Sequence, residues 1–345
     1  MSFARLPRVA ALMAALLGSL PLAARAVTID WVTVGDPNNA ADDTTYGAVA
    51  DAFQIMKYEF TNQQYTDFLN SVDPNGTNPN SVYNTSMGSA ARGGISFISG
   101  AASGSKYAVR SNLGDKPVNF VSWLDAARVS NWLMNGATGT SSMETGAYTL
   151  NNATSGTAPA VNSGATFYIP TEDQWYKAAY YKGSGTNAGY WDYATQSDSV
   201  PTAVTSGTTG IGLASNGIMG SGTGNFANFA SAADWNSQNG NVTTVGTNGG
   251  PSFYGAFDMS GNIREWNDLT GAADSSRGGR GGDWINNAFN LSSADRNPYA
   301  PSAEGASAGF RLASPVAVPE PSTCVMALAG LACGGYSLLR RRRAR

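Results

Sequence analysis

GAFDMSGNIREWND (residues 255–268), RGGRGGDWINNAFNLSSADRNP (277–298) and GFRLAS (309–314) hold the least ordinary residues of this 345-residue chain. In the first stretch, Asp258, Gly261, Ile263 and Glu265 are spaced so that a tight glycine-containing turn brings two carboxylates and two backbone carbonyls around one hard cation, which points to calcium. A plainer use of the same residues is a capped turn in which Asp258 accepts from backbone N–H groups.

Upstream, one local grammar occurs three times: an extended run, a hydroxyl residue, then a helix. KYEFTNQQYTDFLNSV (57–72) offers Thr61 and Gln64 as a reciprocal cap and sets Tyr65, Phe68, Leu69 and Val72 on one face. KPVNFVSWLDAARV (116–129) repeats the pattern, with Val129, Trp132 and Leu133 facing inward and Asn135-Gly136 as the stop. FYIPTEDQWYKAAYY (167–181) is the third, with Pro170 ending a strand, Thr171 and Gln174 capping, and Trp175, Ala178 and Ala179 inward. Val27, Ile29 and Trp31 alternate with polar neighbours as a strand, and residues 53–60 read as a second. Residues 137–164 are mostly small and polar, so a surface excursion with a hairpin and little core is expected there, and irregular loops are expected over 182–224.

The G-N-x-x-E-W, R-G-G-D-W and G-F-R boxes, with the upstream K-Y-E-x-T-N-x-Q-Y and P-T-E-x-x-W segments, resemble the formylglycine-generating enzyme (sulfatase-modifying factor) family. The resemblance implies a single loop-rich α+β domain, poor in regular secondary structure and related to C-type lectins. In catalytic members of the family a C-x4-C pair after an R-G-G-S box holds copper and oxidises a substrate cysteine. Here the matching positions are Asn286 and Leu291, and Asp283 stands in place of the serine. Soft Cu(I) selects thiolates, so no copper is expected and the inherited oxidase chemistry is expected to be lost. The resemblance places a binding groove at Arg280, Asp283, Trp284, Asn286 and Arg296. It also implies a second, weaker calcium set: the side chains of Asn228 and Asn239 with the carbonyls of Phe229 and Asn241. A loop held by amide hydrogen bonds is the alternative for that set. For Arg280 (paired with Asp283) and Arg311 (against a carboxylate), a purely structural role is the simpler reading.

The ends of the chain carry addresses. Residues 1–26, with Arg5, Arg8, a short apolar run and Ala24-Arg25-Ala26, read as a secretory signal peptide for signal peptidase. Residues 318–345, with Val-Pro-Glu-Pro-Ser, an apolar stretch and an arginine cluster, resemble the PEP-CTERM sorting signal that an exosortase processes in Gram-negative bacteria. Export to the cell surface or extracellular matrix follows, with transient anchoring by the C-terminal apolar helix; a permanent membrane helix is the alternative.

Setting aside three arginines before residue 27, five after residue 339 and Glu320 leaves 13 basic and 23 acidic residues in the domain 27–317. Such a surface repels a phosphate backbone, so nucleic acid is excluded as a partner. The chain has no histidine, and its two cysteines, Cys324 and Cys333, lie in the tail. Disulfides, histidine-dependent triads and the usual zinc sites are therefore absent from the domain. With 41 glycines in the chain, the large tryptophan rings and bound calcium are the expected sources of stability.

Two functions from different classes follow. One is an exported, calcium-stabilised, non-catalytic domain that binds extracellular polysaccharide or peptide. The other is a formylglycine-generating oxidase acting on a sulfatase cysteine. A carboxylate-pair glycosidase, with Asp283 and Asp295 as the pair, is a third and weaker option.

Overall fold

The computed structural model describes residues 27–214 and 224–316; the leader and the sorting segment lie outside them. The frame consists of β1 (Trp31–Val34), β2 (Phe53–Met56), α1 (Asn62–Val72), α2 (Trp123–Met134), α3 (Glu172–Tyr180), β3 (Arg264–Asn267), β4 (Arg277–Arg280), β5 (Asn297–Tyr299), β6 (Ala308–Gly309) and β7 (Ala313–Pro315). Strand β2 pairs antiparallel with β1 on one edge and with β7 on the other, so Ile55 faces both Val32 and Ala313 and ties the two ends of the domain together. A second sheet runs in the order β5-β4-β3-β6, with β6 parallel to β3. Loops and shorter strand pairs fill the rest, giving a loop-rich α+β domain.

The three long helices, α1 to α3, start at the capping boxes that the sequence predicts; a further single turn at Ser86–Ser89 has no side-chain cap. Thr61 and Gln64, Ser122 and Asp125, and Thr171 and Gln174 each exchange side-chain and backbone bonds. Each cap is worth about 1 kcal/mol, and each fixes where an apolar helical face begins. The main core gathers Phe60, Tyr65, Phe68, Trp123, Trp132, Trp266 and Phe310. A second core packs Trp175, Tyr180, Ala178 and Ala179 of α3 with Val34, Phe53 and Ile55.

Three local expectations are corrected. The first strand begins at Trp31 instead of Val27, and the second stops at Met56. No strand precedes Pro170: Tyr168 makes a single bridge to Ala313. Residues 137–164 do feed the core, through Ala147, Tyr148, Leu150 and Ala158, and the expected hairpin reduces to one bridge between Tyr148 and Val161. The Tyr148 ring stands edge-on to Trp123 at 5.0 Å, and its hydroxyl meets Asp268 and the Ile169 N–H. One large ring with a satisfied polar tip anchors a segment whose other residues are small. No helix among the described residues is long and apolar enough to cross a membrane.

Candidate functional site

A cavity of about 360 Å³ opens over β3, β4 and β6, with Arg264, Asp283, Ile285, Asn286, Tyr299 and Glu304 among its lining residues. Its floor depends on the R-G-G run of β4. A Cβ on Gly279 would lie 2.8 Å from the Tyr299 ring and 3.1 Å from the Arg264 side chain, so glycine lets both cross the strand. Arg264 donates to Asp295 at 3.0 Å and to the Asn286 Oδ1 at 2.9 Å. The same Asn286 oxygen accepts from the Asp283 N–H at 3.1 Å, so the amide braces the cavity wall. Leu291 is fully buried against Tyr193, Ala227 and Phe229, away from the cavity.

Of the five predicted groove residues, the cavity gathers Asp283 and Asn286. Arg280 does not pair with Asp283: its Nε lies 2.8 Å from Glu172, which also takes Arg296 at 2.7 Å. Trp284 is buried with Val242 and Ile263, under the Arg92 guanidinium at 4.2 Å. None of these three residues lines the cavity. Asp283 and Asp295 are not a catalytic pair, because Asp295 is held by Arg264, Asn290 and Asn297 and does not line the cavity. Burial raises the Asp283 carboxyl above the usual carboxylate range. Glu304 is pushed up to about 7, first by burial and then by the neighbouring Asp125.

Sequence reasoning missed Arg264, Ile285, Tyr299 and Glu304 as lining residues, and Glu172 as the partner of two arginines. Arg264 sits inside the G-N-x-x-E-W box, and its alternation with Glu265 on a strand was the available signal. Nothing in the residues around Glu304 marks it.

Both carboxylates of the first calcium set have protein partners. Both Glu265 oxygens are bound by Arg311 at 2.6 Å, as the structural reading of that arginine expects, and one also accepts from the Trp175 Nε1 at 2.8 Å. Asp258 accepts from the Gly246 N–H and from the Asn248 amide, which is the capped-turn arrangement. Gly261, at φ +90°, and Ile263 complete the turn, where a Cβ on Gly261 would lie 2.4 Å from the Asn228 carbonyl oxygen. In the second set Asn228 donates to the Asn241 carbonyl at 2.8 Å, and the Phe229 carbonyl accepts from Ala232. Asn239 is exposed, and its carbonyl accepts from the Arg92 guanidinium at 2.8 Å. Among the described residues no group of three or more carboxylates is placed to hold a metal ion. Arg311 thus meets the carboxylate charge of the first set, and the second is held through amide hydrogen bonds with the buried Asn228 Oδ1 left without a protein partner.

The sequence profile of the sulfatase-modifying factor enzyme 1-like domain matches residues 31–316. The chain belongs to this family. A PEP-CTERM protein-sorting motif matches residues 317–343, so this sulfatase-modifying-factor domain carries an export signal of the kind an exosortase sorts. No curated protein matches the chain. Among solved structures, the fold is similar to Treponema denticola variable protein 1, at 18% identity over 85% of this chain and 97% of that one, with TM-score 0.44. It is also similar to CarF (21%, 84% and 99%, TM-score 0.47) and to PvdO from Pseudomonas aeruginosa (18%, 84% and 93%, TM-score 0.40).

Proposed function

We propose that the protein is an exported, non-oxidising member of its family that holds an extracellular peptide or polysaccharide in the cavity over β3, β4 and β6. One observation carries this reading: where the resemblance expects two copper-binding thiols, Asn286 braces Arg264 and Leu291 is packed in an apolar cluster. An amide oxygen and an isobutyl group provide no soft donor pair for Cu(I). The cavity itself persists, with apolar and polar walls and an exposed rim at Ile285. Export supports an extracellular ligand.

A glycan and peptide array probed with the mature protein tests the reading. Binding is expected to disappear in Tyr299→Ala and to be the same with and without a calcium chelator. Ligands that bind the variant unchanged would place recognition elsewhere. Chelator-sensitive binding would restore calcium to the account.

A further inference from the structure

We propose that the cavity receives a cationic side chain, the ammonium of lysine or the guanidinium of arginine on an exposed peptide segment, seated against Asp283 and Glu304. The inference rests on the cavity being the binding site and names what it takes.

The charges on the cavity wall are unequally matched. Arg264 is spent on Asp295 and Asn286. Glu265, also on the wall, is neutralised by Arg311. Asp283 and Glu304 form no ion pair among the described residues. The first is held by the Ile285 N–H at 3.0 Å, and the second accepts from the Asn84 amide. Both face a cavity that contains no other cation than Arg264.

Behind Glu304 lies a second carboxyl. Asp125, buried at the start of α2, neighbours Glu304, and burial together with this second carboxyl favours the protonated form of Glu304. Tyr65 faces this pair from α1, and Arg128 stands by Asp125 on α2. A cation in the cavity favours the ionised form of Glu304, so binding is linked to loss of that proton.

Size and surface point the same way. About 360 Å³ is at the small end for ligand cavities and suits one long side chain better than an oligosaccharide. Trp266, Ile285 and Tyr299 give walls for a methylene stem, and Tyr299 adds an aromatic ring for the charged head. The domain's 23 acidic against 13 basic residues steer cations towards it.

The test is calorimetric titration of the mature protein with three short peptides that differ at one position: lysine, Nε-acetyl-lysine and glutamate. The lysine peptide is expected to bind at least about tenfold tighter than the acetylated one, with the glutamate peptide weakest. Its affinity is expected to fall as the pH is lowered through about 7, where Glu304 gains its proton. Glu304→Gln is expected to lose both the preference and the pH slope. Equal affinity for lysine and acetyl-lysine on the unaltered protein, which needs no variant, overturns the proposal. So does a pH slope that survives in Glu304→Gln. A neutral or acidic glycan whose binding Tyr299→Ala abolishes would refute the cationic ligand while leaving the cavity as the binding site.

Discussion

Glu172 stands between two arginines, whereas Arg311 stands among three carboxylates, and the two clusters handle their excess charge differently. Around Glu172, the surplus positive charge reaches water: the Arg296 side chain is 39% exposed, and Arg280 lies between Tyr46 and Tyr176 at 4.7 and 4.9 Å. Around Arg311, the surplus is negative and has no such outlet. Glu59, Glu265 and Arg311 are fully buried, Asp258 nearly so, and Asn262 links the cluster by donating to Glu59 at 2.8 Å. There burial first, then Asp258 and Glu265, push the Glu59 carboxyl well above its usual range. Charge imbalance at a surface is carried by solvent, and the same imbalance in a core becomes titration.

Four substitutions probe this contrast. Arg311→Met strips the guanidinium from three carboxylates and is expected to cost about 3–5 kcal/mol in urea unfolding. A loss below about 1 kcal/mol would show that the carboxylates were never charged together. Glu172→Ala is expected to cost less, about 2–3 kcal/mol, because Arg296 reaches water and Arg280 keeps the carbonyls of Ser293 and Asp295 at 3.0 and 2.9 Å.

Glu59→Gln is expected to stabilise the protein. The folded-state pKa of Glu59 is raised, so its contribution is most favourable when the carboxyl is protonated and is lost as pH rises through the folded value. The variant is expected to gain about 1–2 kcal/mol at alkaline pH, shrinking to nothing in acid, as read from Tm against pH. If a divalent cation neutralised this cluster instead, the same variant would destabilise the protein. Arg296→Met, on the exposed side of Glu172, is expected to change stability by less than about 1 kcal/mol, and by less still in high salt.

What was legible in the sequence was local. A cap is written within four residues, so Thr61, Ser122 and Thr171 announced their helices, and the G-N-x-x-E-W and R-G-G-D-W boxes announced the family fold. Ion pairing is not written locally. Glu172 and Arg280 lie 108 positions apart, and no residue near either names the other. The spacing of Asp258 and Glu265 suited a cation equally well as a capped turn, and the Arg311 that meets Glu265 is brought in from far along the chain by the pairing of β6 with β3 and of β7 with β2. Tyr148 was hidden for a similar reason: a lone ring in a polar segment reaches the core only because Trp123 and Asp268 receive it. Glu304, the least marked of the cavity residues, acquires its character from burial and then from Asp125, which the sequence shows only as half of a helix cap.

At the family's redox position Asn286 braces Arg264 and Leu291 packs in an apolar cluster, an arrangement with no soft donor for copper. Incubating the mature protein with Cu(I), oxygen and a cysteine-containing sulfatase peptide, followed by mass spectrometry of the peptide and metal analysis of the protein, tests this most directly. An unmodified cysteine and no retained copper are expected. Formylglycine in the peptide, or copper held stoichiometrically beside Asn286, would contradict it.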